Sequence, residues 1–542
     1  MSIIDASDEA KNPKSISPIT HHPSPITHHD RALLALLALF VAMAPLVTHR
    51  IYASDEIQYF AFTHSLFFDG DLDFSNQYLH FYESDKVKFA DIYRDLYLKH
   101  EPLTDLPLNV APIGTGLLWM PAFGLAHLFA LAASALGSNV KADGYSGPYI
   151  FAICMTSYLF ACIALLLCYS MAKRLFGRRV SALAVATMWL ATPLLFYTVV
   201  APPWSHATSF LAVTLFLWYW QRTRRDEGRT WLQWAILGAL AGMMMLVREQ
   251  DALFMVVPLV EGVAALAQRS TVGAEGRRQE SGIRNQESGG SNLSSPLSTG
   301  KAEGRRQESG VRNQESEGSI ANPQSAIQNP KSGRWVVGLI VMGVTAAIVF
   351  IPQLIAYRVI TGQFGPSKVV LGKFNWTSPN ALNVLFSPEH GLILWTPIIL
   401  LALVGLAMLW GRDRVLMAAL AVSFVLQVYI AGSFLTWQSA GSFGQRRFIN
   451  STLIFVLGFA MLVTWAMSHG VPRWLVGVIV ALLVAWNGGL LMQYALWCSP
   501  QRQGLDWATV LKGQLEMPTK AASLLWDYIT NRARFYRNTR QC

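Results

Sequence analysis

The sequence predicts an all-α, polytopic membrane protein with about 11 to 13 transmembrane helices and an external first loop that carries interfacial helices. Hydrophobic residues make up 52% of the chain and charged residues only 14%, whereas soluble domains usually carry about 25% charged residues. The apolar residues form long blocks, and a backbone without water must satisfy its own hydrogen bonds, so each block is expected to be helical. The blocks are residues 32–49, 113–136, 149–171, 180–200, 207–220, 231–247, 251–267, 335–357, 391–410, 415–432, 448–467 and 474–494.

Polar segments divide the chain into five predicted regions. In the second long loop, AEGRRQESGIRNQES recurs as AEGRRQESGVRNQES. Two polar copies without an apolar face cannot stack as a solenoid, so this loop is predicted to be a disordered cytosolic insertion. The last region has one amphipathic stretch around 521–536 and is too short for a large soluble catalytic domain. The regions are a disordered cytosolic tail (1–30), an N-terminal membrane region (31–267), the repeat-containing loop (268–334), a C-terminal membrane region (335–494) and a short tail (495–542).

Charge distribution predicts the orientation. The loop 50–112 is acidic, whereas KRLFGRR (173–179) and QRTRR (221–225) are basic. Basic loops prefer the cytosol, which places the N-terminus inside and the loop 50–112 outside. The block 113–136 must then start and end outside, and we predict that it is re-entrant or broken. The alternative is that one basic cluster violates the rule.

The segment ASDEIQYFAFTHSLFFDGDLDF (53–74) directly follows the first apolar block. Ser54 is expected to cap a helix whose first turn holds Asp55 and Glu56, where the helix dipole favours ionised carboxylates. The apolar residues that follow suit a helix lying in the membrane interface. The pair is therefore a candidate for catalysis, although carboxylates are also common in first turns for structural reasons.

Arginines follow at segment ends predicted to lie on the same side. Arg446 and Arg447 come directly after the flexible GSFGQ (441–445). A guanidinium group can bind a phosphate through two hydrogen bonds, so both arginines are candidates for phosphate binding. Topological anchoring is the alternative, but basic residues are less common on the outer face.

REQD (248–251) joins two blocks almost without a loop. Charges in such a place are costly unless they are paired or face a wet cavity. Arg248 is a candidate for phosphate binding, and Glu249 and Asp251 are candidates for contact with a sugar or with Arg248. A tight loop that neutralises its own charge is an equal alternative.

Three further residues are weaker candidates for substrate contact. His206 lies in VVAPPWSHATSF (199–210), and Glu389 and His390 lie in SPEHG (387–391). All are placed on the outer face, but an interfacial histidine beside a tryptophan is common without any role in binding.

The Asp-Glu pair after the first span, on a long external loop, resembles the signature of the GT-C glycosyltransferases, which include the protein O-mannosyltransferases and the lipid A aminoarabinose transferases. The remainder of 53–74 and three later stretches are similar to bacterial members. These stretches are PIGTGLLWMPAF (112–123), LFSPEHGLILWTP (385–397) and WQSAGSFGQRRF (437–448). The resemblance covers most of the chain except 1–30 and 268–334.

The resemblance implies transfer of a sugar from a polyprenyl-phosphate donor to a lipid, glycan or protein acceptor, with inversion. It implies an active site on the periplasmic or exterior face of a bacterial inner membrane. Asp55 would then be the base, and Glu56 would position the acceptor or a neighbouring cation. No cofactor is certain: a divalent cation is possible, but two carboxylates are few ligands for a dedicated site. No nucleic-acid partner is expected, because the basic residues lie in short clusters between apolar blocks.

Two other classes of function stay open at this stage. A transporter or lipid-linked glycan flippase would suit the number of spans, but the two halves show no visible similarity and the charges lie at segment ends. A polymerase or ligase of surface glycans shares both donor and topology. The sequence contains no GxxxxGK[ST], HExxH or CxxC motif, which argues against nucleotide hydrolysis.

Overall fold

The computed structural model describes residues 30–83, 96–224, 228–267, 330–439, 441–495 and 506–531. The predictions for the N-terminal tail and for the repeat-containing loop fall almost wholly outside these ranges. The described residues are helical, and their only extended pairings are two isolated bridges, His100–Pro107 and Phe374–Phe434.

The helices before residue 268 are α1 (Arg31–Met43), α2 (Ser54–His64), α3 (Ser75–Glu83), α4 (Gly114–Ala135), α5 (Gly147–Phe176), α6 (Arg178–Leu190), α7 (Ser205–Thr223), α8 (Trp231–Val247) and α9 (Glu249–Ala267), whose first turns are a 3-10 helix. The later helices are α10 (Pro330–Thr361), α11 (Lys368–Leu371), α12 (Ala381–Phe386), α13 (Leu392–Trp395), α14 (Ile398–Met408), α15 (Arg414–Ser433), α16 (Thr452–Ser468), α17 (Arg473–Ala495) and α18 (Trp507–Thr530). A 3-10 helix, Arg446–Ser451, leads directly into α16.

Seven helices of the described residues are long and apolar enough to cross a membrane, and three shorter apolar helices accompany them. Every predicted apolar block coincides with a helix, although the helix within 180–200 ends at Leu190 and is followed by a π-helical turn, Phe196–Val200. The polytopic, all-α class is thereby confirmed. The seven are Gly114–Ala135, Gly147–Phe176, Glu249–Ala267, Arg334–Thr361, Arg414–Ser433, Arg446–Ser468 and Arg473–Tyr494, and the three are Arg31–Leu46, Trp231–Val247 and Ile398–Gly411.

Polar contacts define two sides of the helix bundle. The site side carries α2, and the opposite side carries the start of α1. On the opposite side Arg178 lies 3.8 Å from Asp30, and Arg224 pairs with Asp413 at 2.9 Å. On the site side Asn450 donates to Asp251 and joins the start of α9 to the 3-10 helix before α16. These contacts give alternating directions to eleven described helices: α1, α5 to α10, and α14 to α17.

Helix α4 does not run from side to side. Trp119 donates to Ser157 at 3.0 Å and His127 meets Tyr149 at 2.6 Å, so α4 lies antiparallel to the first third of α5. The rest of α5 pairs with α1, where Tyr158 donates to the carbonyl of Phe40. Both ends of α4 therefore lie on the site side, as the charge distribution requires, although the helix continues unbroken through its internal proline.

Glycines allow a close backbone approach between α14 and α16. A Cβ at Gly405 would lie 1.9 Å from the carbonyl oxygen of Gly458, and one at Gly458 would lie 2.1 Å from that of Ala402. Helices in lipid lack a hydrophobic driving force for association. Small residues at such crossings let the backbones come close enough for van der Waals packing to hold the helices together.

We expect Gly458→Ala to lower the free energy of unfolding by about 1–3 kcal/mol, because the added methyl group forces the two backbones apart. The measurement is thermal unfolding of the purified protein in detergent. Gly343→Ala is the matched control, since a Cβ there meets no heavy atom within 4 Å. Equal unfolding temperatures for the two variants would contradict this account of the crossing.

Candidate active site

Helix α2 is capped by Glu56 rather than by Ser54, so the predicted cap is wrong. The helix begins one residue earlier than expected, after Ala53. The buried carboxylate of Glu56 accepts hydrogen bonds from the backbone N–H groups of Tyr52, at 2.7 Å, and of Ala53, at 3.0 Å. The backbone N–H groups of the two residues that precede the helix are thereby satisfied without water.

Burial raises the pKa of Glu56 to about 7, against the influence of the two backbone N–H groups, which favour the charged form. The indole N–H of Trp204 faces this carboxylate without the geometry of a hydrogen bond. Neither Trp204 Nε1 nor Glu56 Oε1 has a hydrogen-bond partner in the described part of the chain. Glu56 thus points into the protein and not toward the open side of α2.

Asp55, the next residue back, faces a different environment. Its Oδ2 accepts a hydrogen bond from Arg446 Nη1 at 2.8 Å, and both side chains stay partly exposed, at 37% and 20%. The guanidinium of Arg446 also lies over the ring of Trp204, 4.2 Å from its centroid. The candidate base and a candidate phosphate ligand therefore form one ion pair on the face of an aromatic ring.

A bent loop delivers Arg446 to this position. Gly444 has a φ of +59°, and a Cβ there would lie 2.7 Å from the ring of Pro193. The backbone N–H of Phe443 donates to the hydroxyl of Tyr197 at 3.0 Å. The flexible GSFGQ segment is thus fixed against the turn before α7, and its glycine is required by both conformation and space.

Arg248 and His206 lie next to each other, on the same side as Trp204 and the ion pair. Arg248 Nη1 lies 2.6 Å from His206 Nδ1, and because a guanidinium only donates, this imidazole nitrogen accepts and the histidine is neutral. The buried His206 ring stacks beside Trp204 at 5.8 Å. Arg248 also donates to Gln250 and has no carboxylate within ion-pair distance among the described residues.

Two predicted residues hold the structure together. Arg447 donates to the carbonyls of Thr436 and Trp437 and lies over the ring of Phe434 at 4.5 Å. Asp251 is fully buried and accepts from Ser209 and Asn450, at 2.5 Å and 2.7 Å. The hydrogen bonds of both side chains thus join neighbouring segments of the protein.

The remaining predicted residues lie around this centre. Glu249 is mostly buried, and its Oε1 has no hydrogen-bond partner in the described ranges. Glu389 is exposed, whereas His390 is 1% exposed and donates from Nδ1 to the carbonyl of Gln438 at 2.7 Å. Burial lowers the pKa of His390 to about 4, and the positive charge of Arg446 acts in the same direction. The imidazole of His390 is therefore neutral near pH 7.

The structure brings together Asp55, Arg446, Trp204, His206 and Arg248, here called the Asp55–Arg248 cluster. The sequence pattern missed Trp204 because tryptophans near span ends are common interfacial anchors. It also missed Tyr59, which is buried one turn after Asp55. Burial raises the pKa of Tyr59, and the charge of Arg248 partly offsets this effect. Spacing of four residues along α2 was the available signal.

The Asp55–Arg248 cluster combines a carboxylate that can accept a proton with two cations that can stabilise an anionic leaving group. The described residues contain no group of three or more His, Cys, Asp or Glu that could hold a metal ion. The arrangement suits group transfer from a phosphate-linked donor at the membrane face.

Fold, site and sequence comparison together define a GT-C membrane glycosyltransferase, an enzyme that uses a lipid-linked sugar donor. Residues 146–274 match the dolichyl-phosphate-mannose-protein mannosyltransferase family. The matched stretch runs from the start of α5 past the end of α9 and includes His206 and Arg248. No curated protein matches the chain. The family resemblance predicted from the sequence is confirmed.

The buried carboxylate of Glu56 leads to a prediction about pH. Between about pH 4.5 and 7, the folded protein binds more protons at this position than the unfolded chain does, because the folded pKa is raised above the ordinary value of 4.5. The contribution of Glu56 to stability therefore falls as the pH rises through this range. Glu56→Gln removes this titration, so we expect a flatter dependence of the unfolding temperature on pH.

Unfolding temperatures across that range measure the effect, and Glu389→Gln, at an exposed site, serves as the control. An unchanged pH profile in Glu56→Gln would show that the carboxylate does not titrate in its buried position.

Proposed function

We propose that this glycosyltransferase moves a sugar from a polyprenyl-phosphate donor to an acceptor hydroxyl, with inversion, at the extracytoplasmic face of a bacterial cytoplasmic membrane. The observation that carries the proposal is the Asp55–Arg446 ion pair beside Arg248, on the side of the bundle where α2 lies. It joins a base in the first turn of α2 to a phosphate-binding cation at the start of a crossing helix.

The proposed reaction is one displacement at the anomeric carbon. The acceptor oxygen forms a bond to this carbon while the bond to the phosphate oxygen breaks, and the electron pair leaves with the lipid phosphate. Asp55 takes the acceptor proton, and Arg446 and Arg248 stabilise the charge that develops on the phosphate. A single displacement inverts the configuration at the anomeric carbon.

Arg446 can bind both Asp55 and the donor phosphate because a guanidinium carries five N–H donors. One of them reaches Asp55, while the planar group rests on Trp204. Arg248 is available because its described contacts are to neutral His206 and Gln250. We assign phosphate binding to these two arginines and keep Arg447 as a residue that fixes the preceding loop.

Sugar and acceptor contacts are assigned to the edge of the cluster. Glu249 has a carboxylate oxygen without a described partner, which a sugar hydroxyl can satisfy. His206 presents neutral imidazole next to Arg248, and Glu389 and His390 lie on the loop that faces Gln438. Glu56 acts indirectly, by fixing the first turn that carries Asp55.

The distribution of charge supports the proposed orientation. Basic side chains gather on the opposite side, where Lys173, Arg178, Arg224 and Arg412 lie. The loop after α2 on the site side carries instead the three aspartates of DGDLD (69–73). This asymmetry is typical of bundles whose basic loops remain in the cytosol.

We expect Asp55→Asn to reduce transfer by roughly 10²–10⁴-fold, the usual contribution of a general base, while the protein stays folded. The measurement is transfer of radiolabelled sugar from a polyprenyl-phosphate donor in proteoliposomes. Asp73→Asn, in the exposed turn after α2, is the matched control and should keep wild-type activity. Full activity of Asp55→Asn would remove Asp55 from the role of base.

Arg446→Lys tests the phosphate contact. Lysine keeps the charge but loses the planar fork and the stacking on Trp204, so we expect KM for the lipid-linked donor to rise by roughly tenfold. Arg412→Lys, on the opposite side, should leave this KM unchanged. A donor KM that is the same in Arg446→Lys and in the wild type would exclude Arg446 from donor binding.

A further inference from the structure

Helix α18 has three distinct faces. One face is buried against the protein and includes Val510 and Met517. A second face is exposed and apolar and is formed by Leu511, Leu515, Pro518, Leu525, Trp526 and Ile529. The third face is polar and is formed by the half-buried Glu516 and by the exposed Lys512, Thr519, Lys520, Ser523 and Asp527. The predicted amphipathic stretch around 521–536 thus begins in the second half of a longer helix, and its last residues lie outside the described ranges.

The buried face is fixed to the end of α17 by polar contacts. Gln514 donates to the carbonyl of Trp486 at 3.0 Å, and Gln493 donates to the carbonyl of Val510 at 3.3 Å. Helix α18 therefore lies across the site side, where α17 ends.

The far end of α18 reaches the connection between α1 and α2. The hydroxyl of Tyr528 donates to the carbonyl of Leu46 at 2.7 Å and lies 2.7 Å from the hydroxyl of Thr48. The same connection continues to Tyr52 and Ala53, whose N–H groups bind the carboxylate of Glu56. Hydrogen bonds at both ends of this connection thus link α18 to the first turn that holds Asp55.

We propose that α18 is an interfacial helix whose apolar face is seated in the bilayer leaflet on the site side and which fastens the catalytic helix α2 to that surface. The occupant of the apolar face is lipid, because α18 packs directly on α17, a helix long and apolar enough to cross a membrane whose exposed side chains include Val478 and Leu482. Trp486 of α17 and Trp507 of α18 stack at 6.4 Å where the two surfaces meet.

The three-face pattern specifies the orientation of the helix. Leu515 is 81% exposed and Trp526 67% exposed, whereas Lys512 and Lys520 stand on the neighbouring face and pair with Glu516. A helix parallel to the membrane puts the apolar face into the acyl boundary and the charged face into water. A helix held away from the bilayer would expose both faces to water.

Bimane labels at Leu515→Cys and Lys512→Cys test the seating of the helix, in a background with Cys498 and Cys542 replaced by serine. The protein is studied in nanodiscs of phosphatidylcholine and phosphatidylglycerol. We expect doxyl-labelled lipid to quench the label at 515 and iodide to quench the label at 512. Quenching of both labels by iodide alone would overturn the proposal. Protection of 515 from both quenchers would indicate a protein partner and would also overturn it.

The fastening of α2 rests on the proposed function and is tested separately with Tyr528→Phe, which removes only the hydroxyl. We expect kcat to fall roughly fivefold, as for one lost hydrogen bond, with the donor KM unchanged. Ser523→Ala, which removes an exposed hydroxyl of the same helix, should keep wild-type kcat. Unchanged kcat in Tyr528→Phe would overturn the fastening, whereas the bimane measurement stays valid if the enzyme proves to have another activity.

Discussion

The ion pair between Asp55 and Arg446 joins two parts of the chain that are 391 residues apart in sequence. An exposed ion pair by itself contributes only about 0–1 kcal/mol to stability. The main effect of this ion pair is to hold the first turn of α2 against the 3-10 helix before α16. Trp204 adds a third element, since Arg446 lies over its ring and His206 stacks beside it. The geometry of the site depends on this pair.

The buried side chain of Glu56 helps to fix the position of Asp55 in this ion pair. Adjacent helical residues point about 100° apart, so Glu56 can face the interior while Asp55 faces Arg446. The cost of burying the Glu56 carboxylate is offset by two backbone N–H donors, which must find partners at any buried helix start. A charged side chain that looks catalytic in the sequence thereby becomes the support of its neighbour.

The sequence predicted the helices, the side of the bundle on which they begin and end, and the proximity of Asp55 to two arginines. The length of the apolar blocks and the charge of the loops are signals that extend over many residues. The sequence did not separate adjacent residues with different roles. Asp55 and Glu56 fit the same first-turn pattern, and Arg446 and Arg447 follow the same flexible segment. Their directions are set by the start of α2 and by the 3-10 helix, where one residue changes which way a side chain points. Sequence periodicity does not resolve a difference of one residue.

Three amphipathic or apolar helices, α2, α4 and α18, lie on the site side without belonging to the set that runs from side to side. A lipid-linked donor carries its phosphate at the boundary between acyl chains and water, so the enzyme must hold its cations at that depth. Crossing helices end at this boundary, and the backbone groups of their terminal turns have no hydrogen-bond partners within the helix. Helices on the site side that do not cross close the gap and fix the loops, which explains why the ion pair forms between a helix of the first loop and the start of a crossing helix.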